Sequence, residues 1–208
     1  MPQERTYDAV VFDLLTALID SWTVWNRAAG SAEAGLRWRR EYLALTYAAG
    51  PYRPYVDIVR QAARQAEIKP SCVEALLAGW ADLAPWPETR KVLTALAERV
   101  PLAVVTNCSV RLGVAAVAST GIRFSAIVTA ESVGFFKPRP EPYRAVLRSL
   151  NTVPARTLFV AGSAADVPGA KSVGMPVFWH NRLGLPPVDA ERPNFVAASL
   201  EPLLNLVC

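Results

Sequence analysis

The segment Tyr7-Asp8-Ala9-Val10-Val11-Phe12-Asp13 constrains this chain most: a short apolar run that ends on an acid. A run without polar alternation reads as a strand covered on both faces, the mark of a parallel sheet. Yet the next strand-like segment is far away. From Trp22 to about Ala49 the pattern is helical, with one break at Gly30-Ser31, and Gly50-Pro51-Tyr52-Arg53-Pro54 reads as a turn. Residues 55–67 and 70–83 read as two more helices, the second with a proline in its first turn. Ala84-Pro85-Trp86-Pro87 closes this block.

From Pro87 onward, helical and strand patterns alternate. Helices are expected over 88–99, 110–119, 141–150 and 166–173, with a last one near 200–207. Strands are expected over 101–106, 125–129, 157–161 and 176–180. Such alternation predicts an α/β fold, a Rossmann-like doubly wound parallel sheet. The lone first strand then belongs to the same sheet, and the helical block is a cap inserted after it. The expected division is a core of residues 1–19 plus 86–208 and a helical cap of 20–85.

Composition excludes several classes. With 52% hydrophobic and 19% charged residues in 208, the chain is globular. Its net charge of +4 comes from 22 basic residues scattered among 18 acids, with no basic block, so no nucleic-acid partner is expected. No apolar run approaches the ~20 residues a membrane span needs. Residues 1–5 do not read as a secretory leader. Cys72, Cys108 and Cys208 fit neither a zinc site nor a disulfide framework, which points to a reducing, cytoplasmic setting.

Ligands of open α/β sheets sit beyond the carboxyl ends of the strands. Those ends here carry Asp13, then Thr106-Asn107, then Lys137, then Ser163 and Asp166. An acid beside a lysine, with a hydroxyl, an amide and a second acid nearby, suits attack by a carboxylate to give an enzyme ester. The lysine keeps the nucleophile ionised and offsets substrate charge. A Ser-His-Asp triad is not expected, because His180 is the sole histidine and ends a strand.

Asp13 in its strand, Thr106-Asn107, Lys137-Pro138 and Gly162-Ser163-Ala164-Ala165-Asp166, in that order, resemble the four-motif signature of the haloacid dehalogenase superfamily. Within it the chain is most similar to the 2-haloacid dehalogenases. Superfamily phosphatases place an acid two residues after the nucleophile to protonate the leaving group, whereas Leu15 stands here. Trp38-Arg39 resembles the Trp-Arg pair of the dehalogenases, and Tyr143 matches a tyrosine they carry at that spacing from the lysine. Trp179-His180-Asn181-Arg182 resembles a structural segment of the same enzymes. The chain departs from them at Thr16-Ala17, where they have Gly-Thr. It departs again at Ala161 and Ser163, where they have Ser and Asn.

The resemblance implies hydrolysis of a small, anionic 2-haloacid without a cofactor. Asp13 is the implied nucleophile, with Lys137, Asp166 and Thr106 as catalytic partners. Arg39, Asn107, Tyr143 and Ser163 are the implied substrate-binding residues. A homodimer is expected on the same grounds. The alternatives are a magnesium-dependent phosphatase, with the Leu15 carbonyl and Asp166 as remaining ligands, a non-catalytic member of the superfamily, and a hydrolase with a non-halide leaving group. Trp22, Trp25, Trp80 and Trp86 are expected to pack the cap, one or two of them lining an apolar pocket.

Overall fold

The computed structural model describes residues 6–188 and 190–207. The readings made above on residues 1–5 and on Cys208 lie outside them.

Strand β1, Ala9–Phe12, is buried at every position. The chain then leaves the sheet for helices α1 (Ser21–Ala29), α2 (Ala32–Ala48), α3 (Tyr55–Gln65) and α4 (Pro70–Ala78). A 3-10 turn, Gly79–Asp82, ends this insert. The expected break at Gly30-Ser31 is a helix stop and start. Gly30 takes a left-handed φ of 84°, and the Ser31 hydroxyl accepts from Ala34 N. The two ends of the insert are pinned together by an antiparallel bridge between Ile19 and Pro85. Asp20 N also donates to Ala84 O, and Trp86 N to Leu18 O.

Alternation follows: α5 (Thr89–Ala97), β2 (Leu102–Thr106), α6 (Val110–Thr120), β3 (Ala126–Thr129), α7 (Ala130–Val133), α8 (Pro140–Leu150) and β4 (Thr157–Ala161). The chain ends with α9 (Asp166–Ser172), β5 (Val177–His180), β6 (Phe195–Ala197) and α10 (Leu203–Val207). The sequence pattern misses α7 and β6, and its last helix starts three residues too early. Asp166 is the first residue of α9 and makes no capping bond.

All strand pairs are parallel, in the order β3-β2-β1-β4-β5-β6. The lone first strand is therefore central. The chain winds outward from β1 through β2 to β3, then returns to β4 on the other side. Asp13 leaves the sheet at this reversal, where open α/β sheets form their crevice.

Strand side chains alternate between two cores. Val10, Phe12, Val104, Val160 and Phe178 face one side and share a cluster with α5, α6, α10 and the insert. Val11, Ala103, Val105, Phe159 and Val177 face the other, against α8 and α9. Full burial of β1, β2, β4 and β5 is the reason they read as continuous apolar runs, while the edge strands β3 and β6 are partly exposed. Trp25, Trp38 and Trp80 pack the insert, with Trp25 and Trp38 ring centroids 4.8 Å apart. Among the described residues, no helix is long and apolar enough to cross a membrane.

Candidate active site

The peptide N–H of Asp13 donates to Val160 O at 2.9 Å, so the first residue past β1 is still held by β4. The chain then turns sharply, and the turn closes on the Asp13 carboxylate. Oδ2 accepts from Thr16 N at 3.1 Å, Thr16 Oγ1 at 2.7 Å and Ala17 N at 3.2 Å. In the sequence Thr16 stands out only as a departure from the family motif, and the structure makes it a partner of Asp13. Its signal was available: a lone hydroxyl in the apolar run Leu14-Leu15-Thr16-Ala17-Leu18, three residues from an acid.

Lys137 crosses from the loop after α7. Its ammonium donates to Asp13 Oδ1 at 2.7 Å and to Asp166 Oδ2 at 3.0 Å. All three groups are buried, Lys137 being 2% exposed. Burial alone would push Asp13 toward the neutral form. The Lys137 charge, its hydrogen bond and those from Thr16 outweigh this and hold the Asp13 carboxyl below its ordinary value. Burial likewise opposes the Lys137 ammonium, and the two carboxylates override it, so its pKa is raised. Asp166 differs. Burial and the Asp13 charge push it up to about 6, against the pull of Lys137 and its hydrogen bonds. The two acids separate because Asp13 accepts from three donors besides Lys137 and Asp166 from one, the Tyr143 hydroxyl at 3.4 Å.

Asn107 clamps the lysine's backbone. Its Oδ1 accepts from Lys137 N at 2.7 Å, and its Nδ2 donates to Lys137 O at 3.0 Å. Thr106, at the end of β2, has a buried hydroxyl with no hydrogen-bond partner.

These groups open on a cavity of about 80 Å³. Asp13, Lys137, Asp166, Thr106, Asn107, Ser163 and Arg39 all line it. Tyr143 does not. It lies behind the site, fully buried against Phe159, and its hydroxyl donates to Asp166 O at 3.3 Å. Gly169 is the reason it fits, since a Cβ there would stand 2.7 Å from that hydroxyl. Tyr143 therefore holds Asp166 from behind and stands outside the cavity lining.

The insert supplies the far wall. Arg39, Leu43 and Tyr47 recur four residues apart on α2 and all face the cavity, beside Trp22. The Arg39 guanidinium lies 4.1 Å from the Trp22 ring centroid, and its Nη2 donates to Ser21 Oγ at 2.9 Å. Its Nε and Nη1 are buried without a partner, and no acid among the described residues pairs with it. Burial pulls its pKa below the ordinary arginine value. A buried cation without a counter-ion is costly unless an anion arrives. Leu15, Leu43 and Leu185 give the remaining wall its apolar character.

The residues do not fit a divalent cation. Lys137 already occupies the space between Asp13 and Asp166, and Asp13 Oδ2 is saturated. The Leu15 carbonyl accepts from the Ser21 hydroxyl. Among the described residues, no three His, Cys, Asp or Glu side chains are grouped to hold a metal ion. His180 lies under the Asp13 turn, where its Nδ1 donates to Ala17 O at 2.8 Å.

The haloacid dehalogenase-like hydrolase family model matches residues 7–174. The chain is 30% identical to "(S)-2-haloacid dehalogenase 2" of Pseudomonas sp. (strain CBS-3), over 95% of this chain and 94% of the relative. It is 26% identical to "Haloacetate dehalogenase H-2" of Moraxella sp. (strain B), over 98% and 99%. It superposes on the solved L-2-haloacid dehalogenase RSc1362 with a TM-score of 0.86 at 28% identity, covering 97% of this chain and 99% of that one.

Proposed function

Because the chain belongs to the haloacid dehalogenase-like hydrolase family, we propose that it hydrolyses a small 2-haloacid through an ester on Asp13. The observation that carries this reading is the ammonium of Lys137 between two buried carboxylates. It supplies, from the chain itself, the charge that keeps a carboxylate nucleophile ionised in a buried site.

The two oxygens of Asp13 have different roles. Oδ2 accepts three hydrogen bonds, and Oδ1 accepts one, from Lys137. Oδ1 therefore keeps a lone pair for attack on the α-carbon, from which the halide departs with the bonding electrons. Halide needs no proton, and Leu15 offers none. Oδ2 becomes the ester carbonyl oxygen. Water then adds to Cγ, and the negative charge developing on Oδ2 falls on the donors of Thr16 and Ala17, an oxyanion hole already formed. Asp166, supported by Tyr143, accepts the water's proton. Collapse breaks the Cγ–Oδ1 bond, Asp166 returns its proton to the departing Oδ1 to give a 2-hydroxy acid, and Asp13, now carrying one oxygen from water, loses the remaining proton to become a carboxylate again.

Arg39 binds the anionic substrate, and its missing counter-ion supports this role. The Thr106 hydroxyl is available to the same substrate. Asn107, whose amide is engaged with the backbone of Lys137, acts by holding that lysine. Residues 20–85 serve as the cap and the remainder as the catalytic core. A cytoplasmic location, a homodimeric state and the lack of a nucleic-acid partner belong to the same proposal. Cys72 and Cys108 are both free of disulfides, in keeping with a reducing setting.

A panel of 2-haloacids and aryl phosphates, assayed with and without magnesium and with Asp13→Asn as control, tests this reading. Turnover is expected on haloacids alone, independent of metal, and absent in Asp13→Asn. Metal-dependent phosphate hydrolysis would overturn it.

A further inference from the structure

The hydroxyls of Tyr47, on α2, and Ser163, in the loop after β4, lie 2.9 Å apart across the seam between insert and core. Resting on the dehalogenase reading, we infer that Tyr47 is a positioning residue: it donates to Ser163 Oγ and so reserves the Ser163 hydroxyl hydrogen for the substrate carboxylate.

The loop from Ala161 to Ala165 carries one polar side chain, Ser163. It has no room for one at Gly162, where a Cβ would stand 2.2 Å from Thr16 Oγ1 and 2.3 Å from Ala17 N. With alanine at 161, 164 and 165 and no room at 162, Ser163 is the one side-chain donor of this loop.

A serine hydroxyl has one hydrogen and two lone pairs. Unrestrained, it rotates and serves a ligand equally as donor or acceptor. Here one lone pair faces Tyr47. A phenol is the better donor of the two hydroxyls, because its oxygen lone pair is delocalised into the ring. Burial and the nearby Asp166 charge push the Tyr47 pKa up, so it stays protonated. The Ala165 N–H lies 3.4 Å from the same Ser163 oxygen, a long second contact. With its acceptor sites engaged, Ser163 is left to donate into the cavity that both residues line. Beside it, the donors of that cavity without a partner are those of Arg39 and the Thr106 hydroxyl. Lys137 is held by two carboxylates and Asn107 by a backbone.

Tyr47 lies two helical turns from Arg39, about 12 Å along α2, with Leu43 between them. One helix face thus presents a cation, an apolar side chain and a hydroxyl in order.

The test uses Tyr47→Phe, Ser163→Ala and the double variant. Affinity for propionate, which has a carboxylate but no leaving group, is read by calorimetry, and KM and kcat are read with 2-chloropropionate. Each single variant is expected to weaken propionate and raise KM roughly three- to tenfold, with kcat changed less. The double variant should be no worse than the worse single one, because the two hydroxyls act as one unit. A thermal melt separates this from a structural role, which would lower the midpoint and leave propionate affinity intact. Wild-type propionate affinity in Tyr47→Phe, or single losses that multiply in the double variant, would overturn the inference. Propionate behaving as expected on a chain that turns over no 2-haloacid would sink the dehalogenase reading and leave the Tyr47–Ser163 pair standing.

Discussion

The two walls of the cavity handle charge in opposite ways. On the sheet side, Asp13, Lys137 and Asp166 neutralise and bond one another, and the Asp13 carboxylate also accepts from Thr16 and Ala17. On the insert side, Arg39 is as deeply buried, yet two of its nitrogens have no partner. A saturated network holds geometry, and little is left in it to attract a ligand. An unsaturated cation is the reverse. The difference assigns bond-making to the core and substrate capture to the insert, and it is open to attack from either side.

The largest effect is expected at the core. Lys137→Met leaves two carboxylates facing each other without their cation. Asp13 then loses the charge that holds its pKa down. The expected outcome is a fall in kcat/KM of at least about 10³-fold, with a loss of roughly 3–5 kcal/mol in stability. Steady-state kinetics and urea unfolding measure the two. A loss of stability with turnover kept within tenfold would break the assignment of bond-making to this wall.

At the insert, Arg39→Met should chiefly raise KM, by roughly 10²-fold, since a buried charged hydrogen bond to the substrate is lost. Arg39→Lys should recover part of that affinity. If kcat falls and KM does not, the guanidinium belongs with the chemistry and the two walls do not differ as argued.

The smallest expected effect is pH dependence. Asp166, at about 6, must be ionised to take a proton from water. Activity should therefore fall about tenfold per pH unit below 6 and level off above it. Asp13, lowered, remains ionised across this range, and Lys137, raised, adds no alkaline limb below the usual lysine pKa. A profile flat down to pH 4 would remove Asp166 as the base.

Much of the core wall was legible before the fold was known. Parallel strands buried on both faces are continuous apolar runs, so their ends, and the polar residues there, stand out in the sequence. The insert wall was harder to read. Arg39 was found through its resemblance to a family pair, but Tyr47 was passed over although it shares the four-residue spacing with Arg39 and Leu43. A helix face becomes a wall only once its partner is known. Tyr143 fits the family's spacing from the lysine, yet it ends behind Asp166, because Gly169 lets the ring approach there. Strand β6 is three residues long, too short for periodicity. It is placed by tertiary bonds such as Val177 N to Asn194 Oδ1.

Covalent attack by Asp13 is the central claim, and the fate of oxygen tests it most directly. In heavy-oxygen water, with enzyme in excess over a 2-haloacid, the first turnover should place the label in the Asp13 carboxylate and release product carrying an ordinary oxygen. Label appearing at once in the hydroxyl of the product, with Asp13 unlabelled, would mean that water attacks the substrate directly and that Asp13 is no nucleophile.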